Sequence, residues 1–200
     1  FVAVNHLEAH ALSPGLTDDV PPPYLLLLVS GGHTQLVVVN DVGSYTRLGT
    51  TLDDALGEAF DKAAKLLGLP YPGGPAVERS AARGKPVIPL PRPMAGRPEP
   101  QFSRAGLRTA VRQEARARTP LSDKDVADLC ASFQEAVGDV VRDRVMRAMT
   151  LFEDRMPEGT VLTLVAAGGV AANGPLRAVL GEVAAARGYR LVVPPQALCT

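Results

Sequence analysis

The sequence carries no net charge: 21 lysines and arginines balance 21 aspartates and glutamates. No whole-molecule field therefore draws nucleic acid toward it. It has only two cysteines, Cys130 and Cys199, and no CxxC spacing, which excludes a disulfide framework and fits a reducing cytosol. No apolar run reaches the roughly 18 residues that a membrane helix needs, and nothing resembles a signal peptide. Internal repeats and low-complexity tails are missing as well. So are two common phosphate-binding signatures, the Gly-Lys-Ser/Thr of a Walker loop and GxGxxG. What is present is the material of a globular core, with 46% apolar and 21% charged residues in a 200-residue chain. Beginning at Phe1 inside an amphipathic pattern and ending at Thr200 soon after a strand, it reads as a piece of a longer chain.

Periodicity gives a coarse map. His6–Leu12 reads as a helix and Thr17–Pro23 as a polar, Pro-rich loop. Tyr24–Ser30 is a continuous apolar run, hence a buried strand. Thr34–Asn40 and Tyr45–Leu48 follow as strands of a meander. Asp53–Leu67 has apolar residues at helical spacing and Gly68 at its end. Tyr71–Pro75 is a stiff loop, with a short helix from Ala76 to Arg83. Six prolines between Lys85 and Pro100 exclude a helix there. Ala105–Arg118 is a helix, and Ser122 caps another that runs to about Arg155. Thr160–Ala166, the loop Gly168–Gly174, a helix from Pro175 to Arg187 and the strand Arg190–Val193 make one βαβ unit.

Two glycine turns carry the first chemical signal. "LLVSGGHTQL" places Ser30-Gly31-Gly32-His33 between two strands, and "AGGVAANGPLR" places Gly168-Gly169 after a third, with Asn173 at a helix start. Glycine lets backbone N–H groups approach a ligand, and both a nest of N–H groups and a helix N-terminus attract phosphate. Each turn alone also fits an ordinary tight turn. Together, one in a hairpin and one between strand and helix, they suit a nucleotide cleft of the actin and sugar-kinase type.

Three charged constellations follow. "NHLEAH" sets His6 and His10 on one helical face, where two imidazoles can hold one metal ion. The spacing is not H-E-x-x-H, no third ligand is near in sequence, and a pair of surface histidines fits equally. Asp53, Asp54, Glu58 and Asp61 cluster on one helix. They are explained either by ion pairs Glu58–Lys62 and Asp61–Lys65 with a charged N-terminus, or by one carboxylate holding ribose hydroxyls. Arg104, Arg108, Arg112 and Arg116 repeat every four residues. Ten of the 21 basic residues lie between Arg79 and Arg118, against Glu99 and Glu114 only. That stripe is either a solvated face or a contact for the phosphates of a folded RNA; with Phe102 as the only aromatic nearby, base stacking is not indicated.

In combination, "NHLEAH", "LLVSGGHTQL", "TLDDALGEAFDKAAKLLGLPYPGGP", "PRPM" and "AGGVAANGPLR" resemble, in this order, the tRNA N6-adenosine threonylcarbamoyltransferases, once labelled O-sialoglycoprotein endopeptidases. The resemblance runs from Asn5 to Thr200. It implies an α/β chain of the actin-like ATPase (ASKHA, ribonuclease H-like) fold, mostly the second of two subdomains. Residues 1–20 would end the first subdomain, and 21–200 would form an incomplete second one with a helical insertion at about 75–155.

It implies transfer of a threonylcarbamoyl group from threonylcarbamoyl-AMP to N6 of the adenosine 3′ of the anticodon in tRNAs reading ANN codons. His6 and His10 would bind one divalent metal, Fe or Zn. Leu28, Val29, Ser30, Gly31 and Gly32 would line the adenylate site, and Asp61, Gly74 and Asn173 would contact the ligand. Glu78 stands where many family members have Asp. The family's third metal ligand is an Asp directly after Cys199-Thr200, and its first phosphate hairpin precedes Phe1. Tentative tRNA contacts are Arg104, Arg108, Arg112 and Arg116; Glu8 and Asp54 are the only carboxylates considered as a base. Expected partners are tRNA, a paralogous actin-like subunit and a small ATPase, in the cytoplasm and away from membranes. A metallopeptidase, a non-catalytic paralogous scaffold and a sugar or acetate kinase of the same fold are the alternatives. The His pair favours the transferase over the scaffold.

Overall fold

The computed structural model describes residues 5–195. Its elements, in order, are α1 (His6–Thr17), β1 (Tyr24–Val29), β2 (Thr34–Asp41), β3 (Ser44–Thr50), α2 (Leu56–Leu66), α3 (Gly73–Ala81), α4 (Ala105–Ala117), α5 (Asp123–Glu153), β4 (Thr163–Ala167), α6 (Gly174–Ala186) and β5 (Arg190–Val192). A single 3₁₀ turn, Gly169–Ala172, joins β4 to α6. The five strands form one sheet in the order β3-β2-β1-β4-β5. The meander β1-β2-β3 is antiparallel, whereas β1, β4 and β5 run parallel. The βαβ unit expected from the sequence is therefore β4-α6-β5.

Both faces of the central strands are covered, which explains the unbroken apolar run of β1. Leu25, Leu27 and Val29 join Leu36, Val38, Leu164 and Ala166 in the larger core, beneath α2, α5 and α6. Tyr24, Leu26 and Leu28 face the other way, with Val37, Val39, Val165 and Ala11 of α1. Each fully buried Leu contributes about 2 kcal/mol of apolar transfer. The Phe60 and Phe133 rings meet edge to face at 5.2 Å, locking α2 to α5. The first helix runs five residues beyond the expected Leu12, to Thr17, and the Tyr24 hydroxyl donates to its Ala11 carbonyl at 2.6 Å.

The proline-rich crossing lies against α5, whose side chains satisfy its backbone. Lys85 N donates to Asp128 and Ile88 N to Ser132, at 2.8 and 3.0 Å. Arg144, fully buried, donates to the Arg97 and Glu99 carbonyls. The cap on α5 is a reciprocal Ser122–Asp125 box.

One helix starts later than its pattern implies. Neither Asp53 nor Asp54 caps α2, which begins at Leu56. Leu56 N donates instead to Oγ1 of Thr34, at 2.8 Å, in the strand after the first glycine turn. Asp53 serves another helix: it accepts from Ser103 Oγ, Arg104 N and Ala105 N at the start of α4.

Candidate functional site: two glycine turns and the α3–α6 corner

The parallel pairing of β1 with β4 sets Leu28 beside Ala167, so the two glycine turns emerge side by side at the carboxyl ends of adjacent strands. That end of an open α/β sheet is where ligands bind. Gly168 has φ +98°, and a Cβ there would lie 2.4 Å from the Val29 carbonyl oxygen. The first turn is closed by Ser30 N donating to His33 O and by His33 N donating to Ser30 Oγ. Among the described residues no acceptor takes the N–H of Gly31 or Gly32, and both glycines are exposed. Gly57 of α2 rests on this turn; its N–H donates to Ser30 O at 3.2 Å, and a Cβ would stand 2.8 Å from Gly31 Cα. Leu28 and Val29, expected to line the site, bury their side chains in the two cores, so only their backbone can do so.

A second group of the predicted residues is held by α2, α3 and α6. Asp61 Oδ1 accepts from Gly73 N at 2.8 Å and thereby fixes the start of α3. A Cβ on Gly73 would meet Asp61 Cα at 2.5 Å, whereas Gly74 beside it has open space. The expected Asp61–Lys65 pair is not made, because Asp61 turns to Gly73; Glu58 does pair with Lys62. From α3, Glu78 reaches α6. Its Oε2 accepts from Asn173 Nδ2 at 2.8 Å and its Oε1 from Gly174 N at 3.0 Å. Asn173 in turn accepts from Leu176 N as the N-cap of α6. A cleft of about 360 Å³ opens beside Asn173, lined by Phe60, Ala81, Val137, Leu176 and Val179 among others.

This wiring sorts the two turns. The Gly174 and Leu176 N–H groups of α6 already have acceptors, and Pro175 has none to give. The helix start thus has no free N–H at Gly174, Pro175 or Leu176 to offer a phosphate. The free N–H groups of Gly31 and Gly32 are the ones open to an anion.

The remaining predicted residues divide. His6 and His10 share a face of α1, ring centroids 4.7 Å apart, with His6 exposed and His10 buried. Two imidazole donors so placed fit one side of a divalent metal site. Among the described residues no three His, Cys, Asp or Glu side chains gather as a metal group. Cys199 and Thr200, next to the expected third ligand, lie outside the described residues. Both candidate bases are engaged: Glu8 accepts from the Tyr45 hydroxyl at 2.7 Å, and Asp54 pairs with Lys62 and Arg108.

The arginine stripe is not uniform. Arg104 is 3% exposed, packs over the Phe102 ring and donates to Thr51 Oγ1 and Asp54 O, so it is not a solvent-facing contact. Burial lowers its pKa to about 10, against the pull of Asp53 and Asp54. Its α4 face turns inward because Leu107 and Val111 pack there. Arg108, Arg112 and Arg116 stay exposed.

The close approaches at Gly57 and Gly73 differ in legibility: an isolated glycine within a helical pattern, as at Gly57, marks a close approach, whereas Gly73, in the Tyr71–Pro75 segment that reads as a loop, is the first residue of α3.

The family of tRNA N6-adenosine threonylcarbamoyltransferases matches residues 1–200. The chain belongs to this family. A relative of that name from Brucella anthropi is 60% identical over 201 residues, covering all of this chain, and one from Brucella ovis is 59% identical. The chain spans 56% of the length of each. Among solved structures, HypF of T. kodakarensis superposes with a TM-score of 0.66 at 15% identity, over 94% of this chain and 33% of its own. The activator of the 2-hydroxyisocaproyl-CoA dehydratase from Clostridium difficile, with bound ADPNP, gives 0.52 at 14% identity, over 98% and 62%. These likenesses show the actin-like ATPase fold. No helix among the described residues is long and apolar enough to cross a membrane.

Proposed function

We propose that the full-length protein containing this sequence transfers the threonylcarbamoyl group of threonylcarbamoyl-AMP to N6 of the adenosine 3′ of the anticodon in tRNAs reading ANN codons. The observation that carries this reading is the pairing of an open Gly31-Gly32 turn with the Asp61–Glu78–Asn173 corner, in a chain of this family. The Gly31 and Gly32 N–H groups hold the AMP phosphate, which is the leaving group. Asp61, Gly74 and the Glu78–Asn173 corner hold the nucleoside. His6 and His10 hold one divalent metal, Fe or Zn, which when bound supplies Lewis-acid orientation of the threonylcarbamoyl group. The chain's own contribution is positioning, since the adenosine N6 is a weak nucleophile. A paralogous actin-like subunit and a small ATPase are the proposed partners, and the cytoplasm the proposed location.

The peptidase alternative has less support. Glu8, the only acid between the two histidines, is bonded to Tyr45 rather than open to a water.

The test is a reconstitution. Full-length protein with its partners, threonylcarbamoyl-AMP and unmodified tRNA should yield threonylcarbamoyladenosine in digested tRNA by mass spectrometry. No modified nucleoside with competent tRNA, alongside proteolysis of a glycoprotein, would replace this reading by the peptidase one.

A further inference from the structure

Most polar groups between Ser30 and Thr34 have a structural task. Ser30 N donates to His33 O at 2.9 Å, and His33 N donates to Ser30 Oγ at 3.1 Å. Ser30 O accepts from Gly57 N, and Thr34 Oγ1 accepts from Leu56 N at the start of α2. The main chain of His33 is therefore held on both sides. The donors left over are the N–H groups of Gly31 and Gly32 and the imidazole of His33. That ring is half-buried and has no hydrogen bond, ion pair or ring contact among the described residues.

The two faces of the sheet separate His33 from the nucleoside corner. Thr34, Leu36 and Val38 face the side of α2, whereas Val37 and Val39 face α1. Carried back one residue, this alternation sets His33 on the α1 side of the turn. Asp61, Glu78 and Asn173 belong to α2, α3 and the start of α6, on the opposite side. A ligand that reaches from that corner toward α1 crosses the Gly31-Gly32 turn, and the part beside His33 is its anion.

We propose that His33 is a substrate-binding residue: its ring N–H donates to the phosphate of threonylcarbamoyl-AMP, beside the N–H groups of Gly31 and Gly32. The inference rests on the nucleotide reading given above and adds a side chain to a cradle otherwise made of backbone. In the transfer, the adenosine N6 forms a bond to the carbonyl carbon of the threonylcarbamoyl group. The bond from that carbon to the phosphate oxygen breaks, its electron pair leaves with AMP, and N6 gives one proton to water. Negative charge thus grows on the phosphate, and a donor already aimed there holds the departing group more tightly than the substrate. His33 takes up no proton in this role. Nor does it gather with His6 and His10 into a metal group among the described residues.

The test compares AMP with adenosine, which lacks the phosphate, by calorimetry on the full-length protein. His33→Ala should weaken AMP binding about 10–100-fold, the scale of one hydrogen bond to a charged group, and change adenosine binding by less than about twofold. With threonylcarbamoyl-AMP and tRNA, the loss should fall mainly on kcat. His33→Asn sets an amide N–H near the place of Nδ1, and His33→Gln sets one near that of Nε2. One of the two should restore AMP binding to within about threefold of wild type. Equal losses for AMP and adenosine, no loss for either, or failure of both amides to restore AMP binding would overturn the proposal. So would loss of bound metal from either amide variant, which would make His33 a metal ligand.

A wild-type protein that binds neither AMP nor adenosine would remove the nucleotide reading. Inorganic phosphate then tests the donor alone. On titration the His33 ring resonances should shift together with the Gly31 and Gly32 amides, and a ring that does not respond would overturn the inference.

Discussion

The Gly168 backbone and the Val29 carbonyl are in such close approach that a single methyl group would stand 2.4 Å from the oxygen. This contact joins the ends of β4 and β1 and holds the two glycine turns together. The φ of +98° is a second reason for glycine, because side-chain-bearing residues avoid that region. Gly168→Ala is expected to destabilise the protein by about 2–3 kcal/mol, a fall in Tm of roughly 5–10 °C. Gly181→Ala is the control: it sits inside α6 with open space around it, and should raise stability by about 0.5–1 kcal/mol. Thermal melting of both variants checks this. Equal effects would mean that the approach is not rigid.

Asp53 offers a prediction with a defined sign. Burial pushes its carboxyl up, but the Ser103 hydroxyl, the Arg104 and Ala105 amides and the Arg104 charge outweigh that and hold it below the ordinary carboxylate value. A depressed folded-state value means that the stability is present above about pH 4 and is lost as pH falls through the folded value. Asp53→Asn puts an amide donor against three donors, and should cost about 1–3 kcal/mol at neutral pH. The gap to wild type should narrow below pH 4, where Asp53 takes up its own proton. Urea unfolding from pH 3 to 7 measures the gap; a constant difference would refute the assignment.

These two residues also mark how far the sequence could be read. The strand pattern of β1 and the breaks at Gly68 and the prolines were legible because period and composition report local structure. So was the Ser122 cap. Asp53 was misassigned, since its location just before a helix suggested that helix as its partner, and its real partner lies about fifty residues away. Arg104 looked identical to Arg108, Arg112 and Arg116 in a four-residue repeat. A repeat of four drifts around a 3.6-residue helix, and only the packing of Leu107 and Val111 decides which end of the stripe turns inward. The Glu78–Asn173 bond was invisible for the same reason: long-range pairing depends on the sheet order, which no local pattern encodes.

Tyr24 predicts an alkaline transition. Burial, and then the neighbouring Tyr45, push its phenol up to about 12. A raised folded value means that the contribution is complete below about pH 10 and is lost as pH rises through 12. Ionisation would remove the donor to Ala11 O and loosen α1 from the sheet. Tyr24→Phe should cost about 1 kcal/mol at neutral pH and make the loss of stability above pH 10 shallower. It should not abolish the loss, because burial and Glu153 also raise the Tyr189 phenol. An alkaline limb of unchanged steepness in Tyr24→Phe would show that this hydroxyl does not hold α1.

The arginine stripe separates surface electrostatics from burial on a single helix. Arg112 and Arg116 are exposed, Arg108 is tied to Asp54, and Arg104 is buried with its Nη2 lacking a partner among the described residues. If α4 contacts tRNA phosphates, only the exposed end can do so. Reversing Arg112 and Arg116 to Glu together should weaken tRNA binding and flatten the dependence of log K on log salt by about 1–2 units. Stability should stay near wild type, since exposed charges contribute little. Arg104→Met should do the opposite. It leaves the salt slope intact, but loses the bonds to Thr51 and Asp54 O and lowers the melting temperature. Binding titrations at several salt concentrations, run beside thermal melts, read both effects. An unaltered slope in the Arg112/Arg116 reversal would assign the stripe to solvent.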